Sequence, residues 1–155
     1  MNDESSQREH LLELLDSRSA HIDIKTALSG FPLEHINTRI DHSPHTPWEL
    51  LDHIRLAQWD ILEFSRNAKH VSPDFPDGYW PKDVATAEDW RRSTEQILAD
   101  LQTIRDLVSD EKTDLFAPFP QGTGQTLLRE VLLVADHNAY HLGQLMLLRR
   151  ILENT

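Results

Sequence analysis

Two histidines stand four residues apart in the last third of the chain, at His137 and His141. Residues at i and i+4 lie on one face of a helix, about 6 Å apart at Cβ, so two imidazoles there could converge on one metal ion. At about 100° per residue, both fall on the apolar side that carries Val134 and Leu145. A buried imidazole without a partner costs about 1–3 kcal/mol, which a bound metal would avoid. The alternative is a pair of core histidines that carboxylates or water satisfy.

His53 is the third candidate ligand, on a separate predicted helix. It borders an apolar stripe formed by Leu50, Ala57 and Phe64, although such a histidine on its own would be assigned to the core boundary. Facing helices of a bundle build metal sites from inward side chains. The three histidines together predict a divalent-metal site. Three nitrogen ligands leave at least one coordination position open, which is typical of catalytic rather than structural sites.

Two carboxylates stand two helical turns from these histidines, Asp60 from His53 and Glu130 from His137. The helical rise puts each about 10 Å from its histidine, too far for both to reach one ion easily. The favoured interpretation is a partly exposed carboxylate near the bundle end. The alternative is a hydrogen-bonding partner that orients an imidazole.

The other six histidines lack a partner at metal-ligand spacing, and we predict that they lie at the surface. They are His10, His21, His35, His42, His45 and His70. An alternative places His42 and His45 at the mouth of a pocket near the start of the second long helix. Residues 78–81, GYWP, carry two adjacent aromatic side chains, which predicts a loop folded over the bundle end or a pocket wall.

The first of four predicted long helices starts after Ser5 or Ser6, where Glu9 would complete a capping box with Ser6. It fades near Ser19. Residues 21–45 then form an irregular stretch in which only short helical turns are expected, because the apolar pattern is broken by glycine and proline.

The other three helices have sharper boundaries. The second begins after the cap Thr46, with Pro47 in its first turn, and runs to about residue 69. The third begins after a similar box at Thr86 and runs to about residue 109, and the fourth spans about 126–153. Residues 71–85 are predicted as a loop.

No segment has a strand pattern, so the predicted fold class is all-α. The four helices are expected to form a four-helix bundle with a long connection between the first and the second helix. That connection also permits a crossover in place of simple up-and-down order.

Composition narrows the classes of function. The length of 155 residues predicts a single domain over 1–155. A net charge of −11 repels phosphate, which disfavours nucleic acid and anionic membrane surfaces as partners. The absence of cysteine excludes disulfides, thiolate metal ligands and a cysteine nucleophile. A polar start and short apolar runs predict no signal peptide and no membrane span, hence a cytoplasmic protein.

Two segments resemble the histidine motifs of the DinB-like superfamily: residues 46–53, TPWELLDH, the first motif, and residues 136–144, DHNAYHLGQ, the second. The resemblance implies a four-helix bundle with a 1-2-4-3-like order, a metal site at His53, His137 and His141, and a homodimer. Characterised enzymes similar to this chain are metal-dependent S-transferases and a thiol-dependent isomerase. They use low-molecular-weight thiols such as bacillithiol, mycothiol or glutathione.

The leading hypothesis is therefore a metal-dependent transferase with a small-molecule substrate. Zn²⁺ or Ni²⁺ suits neutral nitrogen ligands and would lower the pKa of a thiol, whose thiolate attacks an electrophile. Because the chain has no cysteine, the thiol must come from outside. Two alternatives stay open: a metal-dependent hydrolase that uses an activated water, and a non-catalytic bundle for stress-related binding or dimerisation.

Overall fold

A computed structural model describes residues 3–16 and 20–154 of the chain. This part is all-α, as predicted, with no strand beyond an isolated bridge between Pro118 and Thr126. Its helices are α1 (Asp3–Asp16), α2 (Ile24–Leu28), α3 (Pro47–Arg66), α4 (Ala87–Ser109) and α5 (Leu127–Leu152). None of them combines the length and the apolar character that a bilayer span requires.

The first helix begins earlier than predicted. Ser6 and Glu9 lie inside α1, so the capping box expected there does not mark the start of the helix. Glu4 lies in the first turn of α1, where a negative charge interacts favourably with the positive end of the helix. The end predicted near Ser19 lies outside the described residues.

The predicted start of the second long helix, α3, is confirmed in detail. The Thr46 hydroxyl accepts a hydrogen bond from the Glu49 backbone at 3.2 Å, and the Glu49 carboxylate accepts one from the Thr46 backbone at 2.8 Å. The helix ends at Arg66, shortly before the predicted end, because Asn67 adopts an extended backbone. The capping box thereby fixes where His53 lies along α3.

The third and fourth predicted helices are also found at their predicted positions. Thr86 and Asp89 form a second complete capping box at the start of α4, and Thr126 caps α5. The irregular stretch between α1 and α3 contains only α2 and a 3₁₀ turn at Leu33–His35, as expected from its composition.

Packing among the long helices differs from the order that the resemblance implies. That order would place the first helix beside the second, whereas α1 packs against α4 and α5, and α3 packs against the same two helices. The long connection between α1 and α3 accounts for this difference, because its short helix α2 packs on α5 and carries the chain across. The contacts agree with the crossover that the connection permits.

Two apolar clusters fill the interior, one towards each end of α3 and α5. The first includes the early part of α3, at residues 48–54, and the late part of α5, at residues 142–152. The second includes Leu62 of α3 and residues 127–134 of α5. Between these stretches α3 carries Gln58 and α5 carries His137 and His141, while His53 lies near the end of the first stretch. These side chains form a polar layer near the middle of both helices.

Candidate metal centre

His53 of α3 meets His137 and His141 of α5 in this polar layer. One ring nitrogen of each histidine lies within 4.8 Å of those of the other two. The Nε2 atoms of His53 and His137 are 3.0 Å apart, and the three ring centroids are separated by 4.5 to 4.8 Å. His53 and His141 are buried and His137 is half-buried. The structure therefore brings together the three histidines that the sequence singled out.

Hydrogen bonds to Nδ1 of His53 and of His141 determine which ring nitrogen can bind a metal. Nδ1 of His53 donates to the backbone carbonyl of Tyr79 at 2.8 Å, and Nδ1 of His141 donates to Oε1 of Gln144 at 2.7 Å. A carbonyl oxygen only accepts, so Nδ1 carries the proton in both rings. In the neutral rings the lone pair is therefore on Nε2.

His137 has an unsatisfied ring nitrogen. Its Nδ1 is buried without a hydrogen-bond partner among the described residues. If His137 carries its proton on Nε2, its Nδ1 is a buried acceptor without a hydrogen bond. If His137 carries its proton on Nδ1 instead, the Nε2 lone pairs of His53 and His137 face each other across 3.0 Å. A cation between the rings relieves the second arrangement, so the cluster fits a divalent metal ion.

The electrostatic state of the cluster also favours a metal. Burial, together with the neighbouring His141 and His53, lowers the pKa of His137 to about 4. Burial likewise lowers the pKa of His53 and of His141. All three imidazoles are therefore neutral at neutral pH, which is the form that binds metal ions.

An aromatic side chain from the loop between α3 and α4 covers the cluster. Trp80 stacks on His53 at 3.8 Å between centroids and 2° between planes, and its opposite face stacks on His45 at 4.0 Å and 10°. The 3₁₀ turn Asp77–Tyr79 delivers Trp80 to this position. The loop with two aromatic residues thus forms a wall of the histidine site. His45, predicted at the surface, is half-buried in that wall because Trp80 lies against it.

The two carboxylates are buried, which corrects the prediction that they are partly exposed. Asp60 is 8% exposed and accepts hydrogen bonds from Nε2 of His70 and the hydroxyl of Tyr79, each at 2.7 Å. Glu130 is 3% exposed and pairs with Arg129 at 2.7 Å. Asp60 is covered because the loop that follows α3 folds back along this helix.

His70 is the clearest error among the histidines predicted at the surface. Its side chain is only 7% exposed, since it packs edge-on against Trp59 at 5.1 Å and is held by Asp60. His10, His21 and His42 are exposed as predicted, and His35 is half-buried. The partner of His70 lies ten residues away across a turn, a separation at which no regular helical spacing signals a contact.

Two other contacts escaped the sequence reasoning for different reasons. Gln144 stands three residues after His141, and this i,i+3 spacing on a helix could have identified it. The carbonyl of Tyr79 is a main-chain group that every residue carries, so no residue type could have indicated its role.

Comparison with known families places this site in context. The model of the DinB superfamily matches residues 18–145, a segment that includes all three histidines and most of the chain. No curated protein and no solved structure matches the chain. The chain belongs to the DinB superfamily.

Proposed function

We propose that the protein binds a divalent metal ion through Nε2 of His53, His137 and His141. The observation that carries this proposal is the convergence of their ring nitrogens within 4.8 Å at a buried helix interface. Three neutral nitrogen donors suit Zn²⁺ or Ni²⁺. The hydrogen bonds on Nδ1 of His53 and His141 support it, because metal-binding histidines usually donate their other N–H to an oxygen.

We further propose that the bound metal serves the transfer of a low-molecular-weight thiol to a small electrophile. Three protein ligands leave a position for an external molecule. The ion would lower the pKa of a thiol held there and so increase its thiolate fraction. The chain contains no cysteine, so the thiol comes from solution. Its sulfur bonds to the electrophilic carbon, the leaving group departs with the bonding electrons, and the thiol proton passes to solvent.

Residues of the chain itself orient and shield this site. The Tyr79 carbonyl and the Gln144 side chain hold two of the imidazoles in the tautomer that directs Nε2 inward. The indole of Trp80 covers one face of His53 and excludes water from that side. These contacts support a site whose ligands are in place before the metal binds.

Several expectations remain predictions from the sequence. They are the single domain over 1–155, the closure of the long helices into a four-helix bundle, the homodimer and the cytoplasmic location.

Metal analysis after equilibrium dialysis tests the first proposal. The full chain should retain one Zn²⁺ or Ni²⁺, whereas His53→Ala, His137→Ala and His141→Ala should each bind it far more weakly. His10→Ala is the matched control, because His10 is exposed on α1. A wild-type chain that retains neither metal, or three variants that bind as the wild type does, would refute the proposed site.

Thiol-dependent turnover tests the second proposal. The metal-loaded chain should conjugate glutathione, bacillithiol or mycothiol to a haloaromatic electrophile, and the metal-free chain should not. The assay reads product formation and halide release together. Ester or amide cleavage without any thiol would overturn the transferase in favour of a hydrolase, and a complete lack of turnover would favour a binding role.

A further inference from the structure

Asp60 is a buried carboxylate without a role in the proposed ligand set. It is 8% exposed on α3, seven residues after His53. Its two oxygens accept hydrogen bonds at 2.7 Å, one from Nε2 of His70 and one from the hydroxyl of Tyr79. A carboxylate is costly to bury unless its oxygens are paired, so these two partners compensate for its burial.

Tyr79 connects Asp60 to the metal centre. Its hydroxyl donates to Asp60, while its backbone carbonyl accepts the Nδ1 proton of His53 at 2.8 Å. The seven residues between Asp60 and His53 correspond to about 10 Å along α3. One tyrosine lying along the helix spans that distance, with its side chain at one end and its main chain at the other.

His70 anchors the start of the same loop. Its side chain is 7% exposed and lies edge-on to Trp59 at 5.1 Å while bonded to Asp60. Asp60 therefore holds the loop at two positions, His70 soon after α3 ends and Tyr79 just before the indole of Trp80. The backbone between them cannot shift along α3 without breaking one of these bonds.

The hydroxyl of Tyr79 is the donor in its hydrogen bond with Asp60. Burial, together with the hydrogen bond and the negative charge of Asp60, raises the pKa of Tyr79 to about 12. At neutral pH the phenol therefore keeps its proton and can donate to Asp60.

We propose that Asp60 is a positioning residue for the metal centre. By holding the phenol of Tyr79 and the ring of His70, it keeps the Tyr79 carbonyl on Nδ1 of His53 and so directs the Nε2 lone pair of His53 towards His137 and His141. The assignment deepens the proposed metal site and rests on it. Asp60 would act on the site through Tyr79 and His70 and would not bind the metal itself.

The test uses the two tyrosines of the chain as a matched pair. Tyr79→Phe removes only the hydroxyl that Asp60 holds, and Tyr140→Phe removes the hydroxyl of a residue that is 65% exposed. Asp60→Asn removes the charge and one acceptor. Zn²⁺ affinity is measured by competition with a chelating dye, and the tautomer of His53 in the metal-free chain by long-range ¹H–¹⁵N NMR.

Tyr79→Phe should bind Zn²⁺ about tenfold more weakly than the wild type, which is the lower end of the effect of removing a residue that orients a metal ligand. Asp60→Asn should weaken Zn²⁺ binding by at least as much. The Nδ1-protonated tautomer of His53 should lose population in both, and Tyr140→Phe should match the wild type. Unchanged affinity and an unchanged tautomer in Tyr79→Phe would overturn the assignment. The tautomer of His53 is measured in the metal-free chain, so it tests the role of Asp60 independently of metal binding. A wild-type chain that binds no Zn²⁺ would refute the proposed metal site and not the positioning of His53.

Discussion

At the scale of single residues, the three histidines differ in what holds them. His53 and His141 are each fixed by an acceptor on Nδ1, while Nδ1 of His137 is buried without a partner among the described residues. Of the three histidines, His137 has the most strongly lowered pKa, about 4, and burial is the largest cause. Its ring is therefore the most costly of the three to protonate in the folded chain.

This difference predicts how the stability of the metal-free chain depends on pH. A histidine with a pKa near 6.5 when unfolded and about 4 when folded binds more protons in the unfolded state between those values. Stability should therefore fall as the pH drops from about 6.5 towards 4. For His137 we expect a loss of about 1–2 kcal/mol between pH 7 and pH 5, measured by urea unfolding.

His137→Gln is the control for this pH dependence. Glutamine cannot titrate, so the variant should lose less stability than the wild type over the same pH interval, whatever its stability at pH 7. Equal losses in the two proteins would mean that other groups, and not His137, carry the acid sensitivity.

At the scale of elements, the loop between α3 and α4 decides how the site is closed. It places the Tyr79 carbonyl on one edge of His53 and the Trp80 ring on its face. Gly78 precedes these two residues and packs tightly, since a Cβ there would lie 2.7 Å from Cβ of Pro73 and 3.3 Å from its backbone. The close approach of two loop segments therefore requires glycine.

Gly78→Ala should displace the turn that carries Tyr79 and Trp80. We expect lower stability and weaker Zn²⁺ binding, read by urea unfolding and chelator competition, because the clash involves backbone as well as a proline ring. Gly143→Ala is the matched control. A Cβ at Gly143 meets nothing within 4 Å, and alanine in a helix should stabilise α5 by about 0.5–1 kcal/mol. Wild-type stability and binding in Gly78→Ala would contradict this account of the loop.

At the scale of the whole molecule, a buried polar layer joins three helices. Gln58 of α3 is fully buried, donates to the carbonyl of Ile97 in α4 and accepts from the amide of Asn138 in α5, both at 2.7 Å. Asn138 follows His137 directly in α5, so these hydrogen bonds adjoin the candidate metal centre. Gln58 thereby links α3 to both α4 and α5 near the middle of α3.

Gln58→Ala should reduce the free energy of unfolding by about 2–4 kcal/mol, because it leaves a cavity and an unpaired amide on Asn138. Gln102→Ala serves as the control, since Gln102 is exposed on α4 and its side chain donates to Asp106 in the same helix. Its effect should stay within about 0.5 kcal/mol in the same urea titration. A comparable loss in both variants would argue against a special role for the layer.

Metal addition should stabilise the whole chain, because the proposed ligands join α3 to α5. A free ion at about 100 times its Kd adds about 2.7 kcal/mol to the free energy of unfolding, and chelation should reverse the gain. Thermal unfolding with and without Zn²⁺ measures this. His53→Ala should lose the dependence on metal. A wild-type Tm that does not respond to Zn²⁺, Ni²⁺ or chelator would contradict the proposal.

The sequence by itself determined the features that depend on local chemistry. The capping boxes at Thr46 and Thr86 set the starts of α3 and α4, because hydroxyl and carboxylate satisfy backbone groups three residues away. Helical spacing put His137 and His141 on one face, and the position of His53 on an apolar border indicated that it too points inward. All three were found together.

Only the tertiary structure decided the contacts between segments distant in sequence. The packing of α1 against α4 and α5, the indole of Trp80 on His53, and the burial of Asp60 and His70 depend on where two connections fold. Local patterns constrain a residue's neighbours within one helix, whereas loop contacts are selected by the packing of the whole chain. The convergence of the three histidines was therefore predictable from the sequence. The loop at residues 78–81 was expected near a pocket, but its individual contacts with His53 and Asp60 were not.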